Sequence, residues 1–371
     1  MNLDYNQQAF FALVRAGLWE KDVRLLHLKN VDFNEVYRFA GEQSLVGLIA
    51  AGIEHVVDVK ISQSVALMFV GDTLQLEQRN KAMNQFVARL VERLRKEDIL
   101  TLLVKGQGIA QCYERPLWRA CGDVDFLLDE DNYERAKDYL LPLASSVDEE
   151  EKERLHIAVV INQWIVELHG SLHSQVFPQI NKIADVVQND TFKNKNVRVW
   201  RNQETDIFLP APDNDVFFVF SHILQHFWDG GIGIRQICDW CRLLWTYRGK
   251  LNLNLLEIRL KDAGIFSEWN IFAIFAVEWL GMPKEAMPFC LCSSSAKRKA
   301  KRLSSFILDV GNFGHNNDRS FRQNSSPFMR KIKMFSCVTK DFFQQVMIFP
   351  IDAVRVWFRI MRIGLGLIML K

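Results

Sequence analysis

Two aspartates separated by one residue, Asp123 and Asp125, stand in a short apolar run, DVDFLL, with the composition of a buried strand. Side chains alternate faces along a strand, so both carboxylates project one way while Val124 and Phe126 point into the core. Two ionised carboxylates a few ångströms apart repel by about 1 kcal/mol in water and several-fold more when partly buried. Such a pair is tolerable in a sheet only when a cation joins it or the site opens to water. Mg²⁺ or Mn²⁺, bound by carboxylate and phosphate oxygens, supplies that cation. A second strand pattern follows some forty residues on, WIVELH at 164–169, and puts Ile165, Glu167 and His169 on one face. Glu167 is thus a candidate third carboxylate, as metal ligand or as base towards an acceptor hydroxyl. His169 is a candidate support for it.

Other residues could serve the same chemistry. Residues 99–104 (ILTLLV) read as a buried strand that ends in the turn Lys105-Gly106. Lys105 could meet a triphosphate there, with the Gly106 and Gly108 backbones allowing close approach; the alternative is a surface lysine at a strand end. Arg119 could reach phosphate or form a structural ion pair with one of the two aspartates. His222 and His226 are four apart and share a helix face, with Asp229 and Asp239 nearby. That spacing suits a metal, but helix packing explains it better, and a supporting role beside the nucleotide comes next. Cys238 and Cys241 form a Cys-x-x-Cys inside a helical pattern and read as buried thiols, without a second knuckle for zinc.

These residues need a scaffold, and the patterning suggests one. Residues 1–95 read as helical, with one long amphipathic helix over 74–96. Strands are expected at 124–128, 156–161 and 164–169, the last two joined as a hairpin through Asn162-Gln163. Asp129 to Asp131 can cap a helix over 133–140. Edge strands are expected at 197–200 and 207–209. Pro210-Ala211-Pro212 then breaks the chain before helices at 213–228, 234–247, 253–263 and 269–280, and a basic helix near 296–302. The polar, glycine- and asparagine-rich stretch 311–327 reads as a loop or linker. The expected fold is α+β: a small mixed β-sheet over 96–210 between a helical region at 1–95 and a helical domain at 211–310. Residues 311–371 would form a linker and an apolar, basic helical end.

Composition bounds the function without naming it. The chain has 371 residues, 46 Lys+Arg against 44 Asp+Glu, a net charge of +2, and 27 Phe with 10 Trp. So small an imbalance gives no electrostatic case for nucleic acid, and the basic run Lys297 to Arg302 reads as a solvated helix face. Seven cysteines without framework spacing suggest free thiols, and the N-terminus shows no signal-peptide pattern. Cytoplasm is the expected location. Residues 341–371 are apolar and carry Arg355, Arg359 and Arg362 at helical spacing, too interrupted for a span of about 20 apolar residues. Docking onto the protein's own body or a partner is expected, with peripheral membrane contact as the alternative.

Residues 100–245 resemble the bacterial uncharacterised nucleotidyltransferase family of the DNA polymerase β-like nucleotidyltransferase superfamily. The likeness rests on Lys105-Gly106, Tyr113, Arg119, Asp123-Val124-Asp125-Phe126-Leu127-Leu128, Glu167-Leu168-His169, Leu209-Pro210 and His222. The stretch at 33–53 resembles the family's N-terminal part. The resemblance implies an enzyme that transfers a nucleotidyl group from a nucleoside triphosphate such as ATP to an acceptor hydroxyl. Asp123, Asp125 and Glu167 would hold Mg²⁺, and Lys105, Gly106 and Arg119 would meet the nucleotide. The turn departs from the superfamily, whose members carry Gly-Ser where this chain has Lys105-Gly106. The alternatives are a non-catalytic binding or assembly module on the same fold, or a toxin-like transferase acting on tRNA or protein.

Overall fold

The computed structural model describes residues 3–174, 178–311 and 339–369, without the side chains of 229, 360 and 363–369. The chain begins with helices α1 (Tyr5–Trp19), α2 (Phe33–Glu42), α3 (Val46–Glu54) and α4 (Gln63–Lys96). Asp4 starts α1 with a capping box, its carboxylate accepting from Gln7 N at 2.7 Å. Helices α1 and α3 touch backbone to backbone. A Cβ on Gly17 would fall 2.1 Å from Leu48 O, and one on Gly52 equally close to Leu13 O.

The sheet follows as β1 (Leu102–Val104), β2 (Asp123–Leu127), β3 (Ser146–Val147), β4 (His156–Ile161) and β5 (Trp164–His169), in the order β1-β2-β5-β4-β3. Only β2 and β5 run parallel. Helix α5 (Gly106–Ala110) leaves β1, and α6 (Glu130–Leu140) leaves β2 with Asp129 as its cap. Helix α7 (Pro178–Phe192) was not expected, although Ile180, Ala184, Val187 and Thr191 recur at helical spacing and are buried. The expected edge strands β6 (Val197–Asn202) and β7 (Thr205–Pro210) do not extend the sheet. They pair with each other, and Ile207 and Leu209 of β7 pack into the apolar cluster that holds Leu103, Val87 and Val91. Helices α8 (Pro212–Asp229), α9 (Ile234–Tyr247), α10 (Leu253–Asp262), α11 (Phe266–Trp279) and α12 (Ser294–Val310) complete the body. Beyond Gly311, the expected loop at 311–327 falls outside the described residues. A helical stretch at 339–346 precedes α13 (Pro350–Met369).

Two cores result. Helices α1 to α3 share a large apolar cluster with α8 to α12. Trp19 Nε1 donates to Leu280 O, and Phe11 meets Phe275 edge-on across that joint. The second core lies under one face of the sheet, where Val124, Phe126, Val166, Leu168, Ile157 and Val159 meet Met83 to Leu94 of α4 and Tyr133 of α6. Helix α4 runs between the cores, with Val65 and Phe69 in the first and Phe86 and Leu90 in the second. The other sheet face carries Leu102, Val104 and Leu127 under Phe218 of α8. By strand alternation, Asp123, Asp125, Glu167 and His169 stand on that same face.

Candidate active site

The turn after β1 is built under strain. Lys105 takes φ 55° and ψ −144°, a conformation hostile to any residue with a side chain, and Gly106 follows at φ 35°. A backbone of this kind costs on the order of 1–3 kcal/mol and persists where its surroundings hold it. A Cβ on Gly106 would lie 3.0 Å from Cys121 Sγ, so the turn packs directly on the segment leading into β2. From this turn the Lys105 ammonium reaches Asp125 Oδ1 at 2.6 Å.

Strand register assembles the acids. Asp125 is paired with Glu167 across the parallel β2–β5 ladder, and Asp123 stands two residues earlier on the same face. The β4–β5 hairpin sets His156 opposite His169, with ring centroids 4.7 Å apart. His169 Nε2 donates to Asp125 Oδ1 at 2.9 Å and lies 3.4 Å from Glu167 Oε2; His156 Nε2 also lies 3.4 Å from that oxygen. Among the described residues, His156, Glu167 and His169 are the group whose donor atoms come within 4.8 Å of one another, as a metal ion would require.

Charge is unevenly shared across this cluster. Asp123 is pushed up to about 6, first by the neighbouring charge of Asp125 and then by burial. Among the described residues, no ion pair or side-chain hydrogen bond meets its carboxylate. Burial works against an ionised Glu167, but the imidazoles of His156 and His169 and the charge of Lys105 outweigh it and hold it well below the carboxylate range. Burial likewise opposes a charged Lys105, and the three acids overcome it. Burial and Lys105 together oppose a charged His169, yet its bonds to Asp125 and Glu167 raise it.

Helix α8 covers the cluster. Phe218 seats it on the sheet, and His222 follows one turn on, its ring 6.1 Å from that of Phe218. His222 and His226 share a hydrogen bond between their Nε2 atoms at 2.8 Å, one ring donating and the other accepting. Burial, then the charge of Lys105, pushes His222 well down and His226 to about 4, so both are neutral near pH 7. A neutral pair can donate and accept without adding positive charge to the cleft.

Not every expected residue joins. Arg119 is buried and turned away from the acids of β2. Its Nε donates to Asp239 Oδ1 at 3.0 Å and its Nη2 to Oδ2 at 2.5 Å, while Tyr113 Oη donates to the same carboxylate at 2.8 Å. The Nε–Nη2 edge of the guanidinium is thereby committed to α9, a structural pairing where a phosphate contact was expected. Cys238 and Cys241 are fully buried free thiols pushed far up by burial, as inert cysteines are.

Three residues absent from the sequence reading matter here. His156 could have been found from the hairpin: a two-residue turn at 162–163 pairs Ile161 with Trp164 and hence His156 with His169. Asn80 and Gln107 had no local signal. Asn80 Nδ2 donates to Leu117 O at 2.8 Å and Arg119 O at 2.9 Å, and its Oδ1 accepts from Gln107 Nε2, tying α4 and α5 to the loop before β2.

No curated protein matches the chain, and no solved structure does. The family model of an uncharacterised nucleotidyltransferase matches residues 29–281, a span that holds the whole sheet, the strained turn and the covering helix. The chain therefore belongs to the uncharacterised nucleotidyltransferase family, and with it to the transferases that take a nucleotide substrate.

Proposed function

We propose that the chain is a divalent-metal-dependent nucleotidyltransferase of the DNA polymerase β-like superfamily, moving a nucleotidyl group from a nucleoside triphosphate to an acceptor hydroxyl. The parallel register that sets Asp125 beside Glu167, with Asp123 on the same face, carries this proposal. Three carboxylates stand on one face of two neighbouring strands, and the repulsion lifting Asp123 towards 6 is what a hard cation relieves. Asp123, Asp125 and Glu167 would hold Mg²⁺ or Mn²⁺, which neutralises charge on the triphosphate and the departing pyrophosphate when bound.

The chain's own residues supply the rest. Lys105 stands at the cleft with a charge that can meet a phosphate as well as Asp125. His156 and His169 fix the Glu167 carboxylate from two sides. A carboxyl held so far below its ordinary range is a poor proton acceptor, which favours Glu167 as ligand over Glu167 as base. His222 and His226 form the opposite wall, neutral and able to hydrogen-bond an acceptor.

One observation favours a second reading, a non-catalytic nucleotide-binding module: Lys105 itself gives Asp125 a cation. The two readings part on a measurement. Thermal unfolding of the wild type with each nucleoside triphosphate is expected to rise only when Mg²⁺ or Mn²⁺ is also present, and to stop rising in Asp123→Asn. Label on the α-phosphate is expected to pass to a component of cell extract and not to do so with Asp125→Asn. Metal-independent nucleotide binding without label transfer would leave the second reading standing and end the first.

A further inference from the structure

The stretch 339–362 is sorted by charge and polarity in a way the catalytic proposal does not need. It contains two acids, Asp341 and Asp352, and four cations, Lys340, Arg355, Arg359 and Arg362. Both acids turn inward: Asp341 is buried, and Asp352 lies against the buried carboxyl of Glu268, with its Oδ1 3.5 Å from Nη1 of the exposed Arg355. All four cations face out.

The apolar residues divide as well. Ile348, Phe349, Ala353 and Val356 are buried, with Phe349 against Phe227 and Trp228 at the end of α8 and Gln345 Nε2 donating to Phe227 O. This inner face fastens the segment to the body. A second apolar set, Phe343, Met347, Ile351, Val354 and Phe358, points away from it, each at least 41% exposed. Ile351, Val354 and Phe358 fall within about 60° of one another around α13, and Arg355, Arg359 and Arg362 fill the adjoining arc. Arg302 of α12, exposed, donates to Met347 O at 2.8 Å and brings a further cation to the edge of the stripe.

We infer that this outward face seats the protein on an anionic lipid surface, with the apolar stripe entering the headgroup boundary and the arginine row meeting lipid phosphates. An exposed apolar line flanked by a cationic one is the make-up of a helix that lies in a membrane interface. Among the described residues no helix is long and apolar enough to cross a membrane. A second copy fits the face poorly. Two-fold pairing of the stripes would set arginine rows side by side with both local acids turned inward. The inner face of the same segment rests on Phe227 and Trp228, the residues after His226. The bound surface is thus mechanically continuous with the helix that covers the acids.

Flotation of the full chain with vesicles of phosphatidylcholine alone, and with added phosphatidylserine, tests this. Partition into the phosphatidylserine vesicles only, weakened by salt, is expected. Replacing Arg355, Arg359 and Arg362 with Gln should lower partition by about a hundred-fold, at the usual contribution of a basic residue near such a surface. Lysines at the same positions should retain it. Phe343→Ser, Ile351→Ser and Phe358→Ser together should abolish partition with a melting temperature little changed, because each side chain is about two-thirds exposed. No partition, equal partition into phosphatidylcholine alone, or a wild-type dimer that this apolar variant dissociates would each overturn the inference.

Discussion

Arg119–Asp239 and Lys105–Asp125 are both ion pairs drawn largely out of water, and they differ in what surrounds them. The first is closed: a bidentate fork on one carboxylate, a tyrosine hydroxyl on the same group, and a guanidinium held firmly charged. The second is open. One ammonium and two imidazoles face three carboxylates, and the shortfall is borne by Asp123 at about 6. A buried pair that satisfies itself holds a fold in register; a buried group with leftover charge calls for a ligand. The sequence presents both as acids and bases near a strand, and only the count of partners in space separates them.

The largest effect should come from the open cluster. Asp125→Asn keeps the side chain's shape but removes the charge that Lys105 and His169 share. Transfer of label should fall by about 10³-fold, the scale of losing one preorganised electrostatic partner, with the melting temperature little changed. A variant that unfolds would place Asp125 with the structural pairs. Arg119→Ala should do the reverse. Stripping one partner from a buried pair costs about 3–5 kcal/mol, read as a lower denaturant midpoint, while rate per folded molecule is retained. A fold as stable as wild type, or a specific loss of nucleotide affinity, would return Arg119 to the phosphates.

A smaller effect is expected at His156, which touches one acid of the cluster, Glu167, at 3.4 Å. His156→Gln should weaken metal affinity or transfer by about 10- to 100-fold, as second-layer partners of ligands do. Metal titration followed by tryptophan fluorescence would show it. An unchanged affinity would mean that His169 alone orients Glu167.

The legible part of the fold was the part set by neighbours in sequence. The β4–β5 hairpin and α9 have the bounds that their own patterning suggests, and alternation along β2 and β5 put Asp123, Asp125 and Glu167 on faces that do meet. Long helix α4 begins eleven residues earlier than its pattern shows (Gln63 against 74), because exposed Leu67, Met68, Val70 and Leu74 blur the buried series Val65, Phe69 and Thr73. Choices between distant partners were not legible. Arg119 had Asp123 and Asp125 close in sequence, yet its partner lies 120 residues away on α9. The β6–β7 hairpin is set by neighbours too, Asn202 pairing with Thr205 across a two-residue turn, but its edge-strand composition points to the sheet and hides that pairing.

At a third place two acids meet, and the nearest cation sits on one of them alone: Arg355 Nη1 lies 3.5 Å from Asp352 Oδ1. Glu268 on α11 is fully buried beside Asp352 of α13, and it is pushed up to about 8, first by burial and then by that neighbour. Ser267 Oγ donates to it at 2.8 Å, and Asp352 shares a hydrogen bond with it. Here a retained proton relieves the repulsion, so no ligand is called for. The folded chain keeps this proton to about pH 8, whereas an unfolded glutamate loses it near 4.5. The stabilising contribution is therefore complete below 4.5 and lost as pH rises to 8. Glu268→Gln has no proton to lose. It should match wild type in denaturation at pH 4.5 and exceed it above, the gap growing by no more than about 1.4 kcal/mol per pH unit until pH 8. Its response to Mg²⁺ and nucleotide should be that of wild type. A gap that stays flat with pH would mean that Glu268 is ionised in the fold, and the distinction between acids relieved by a proton and acids awaiting a metal would fail.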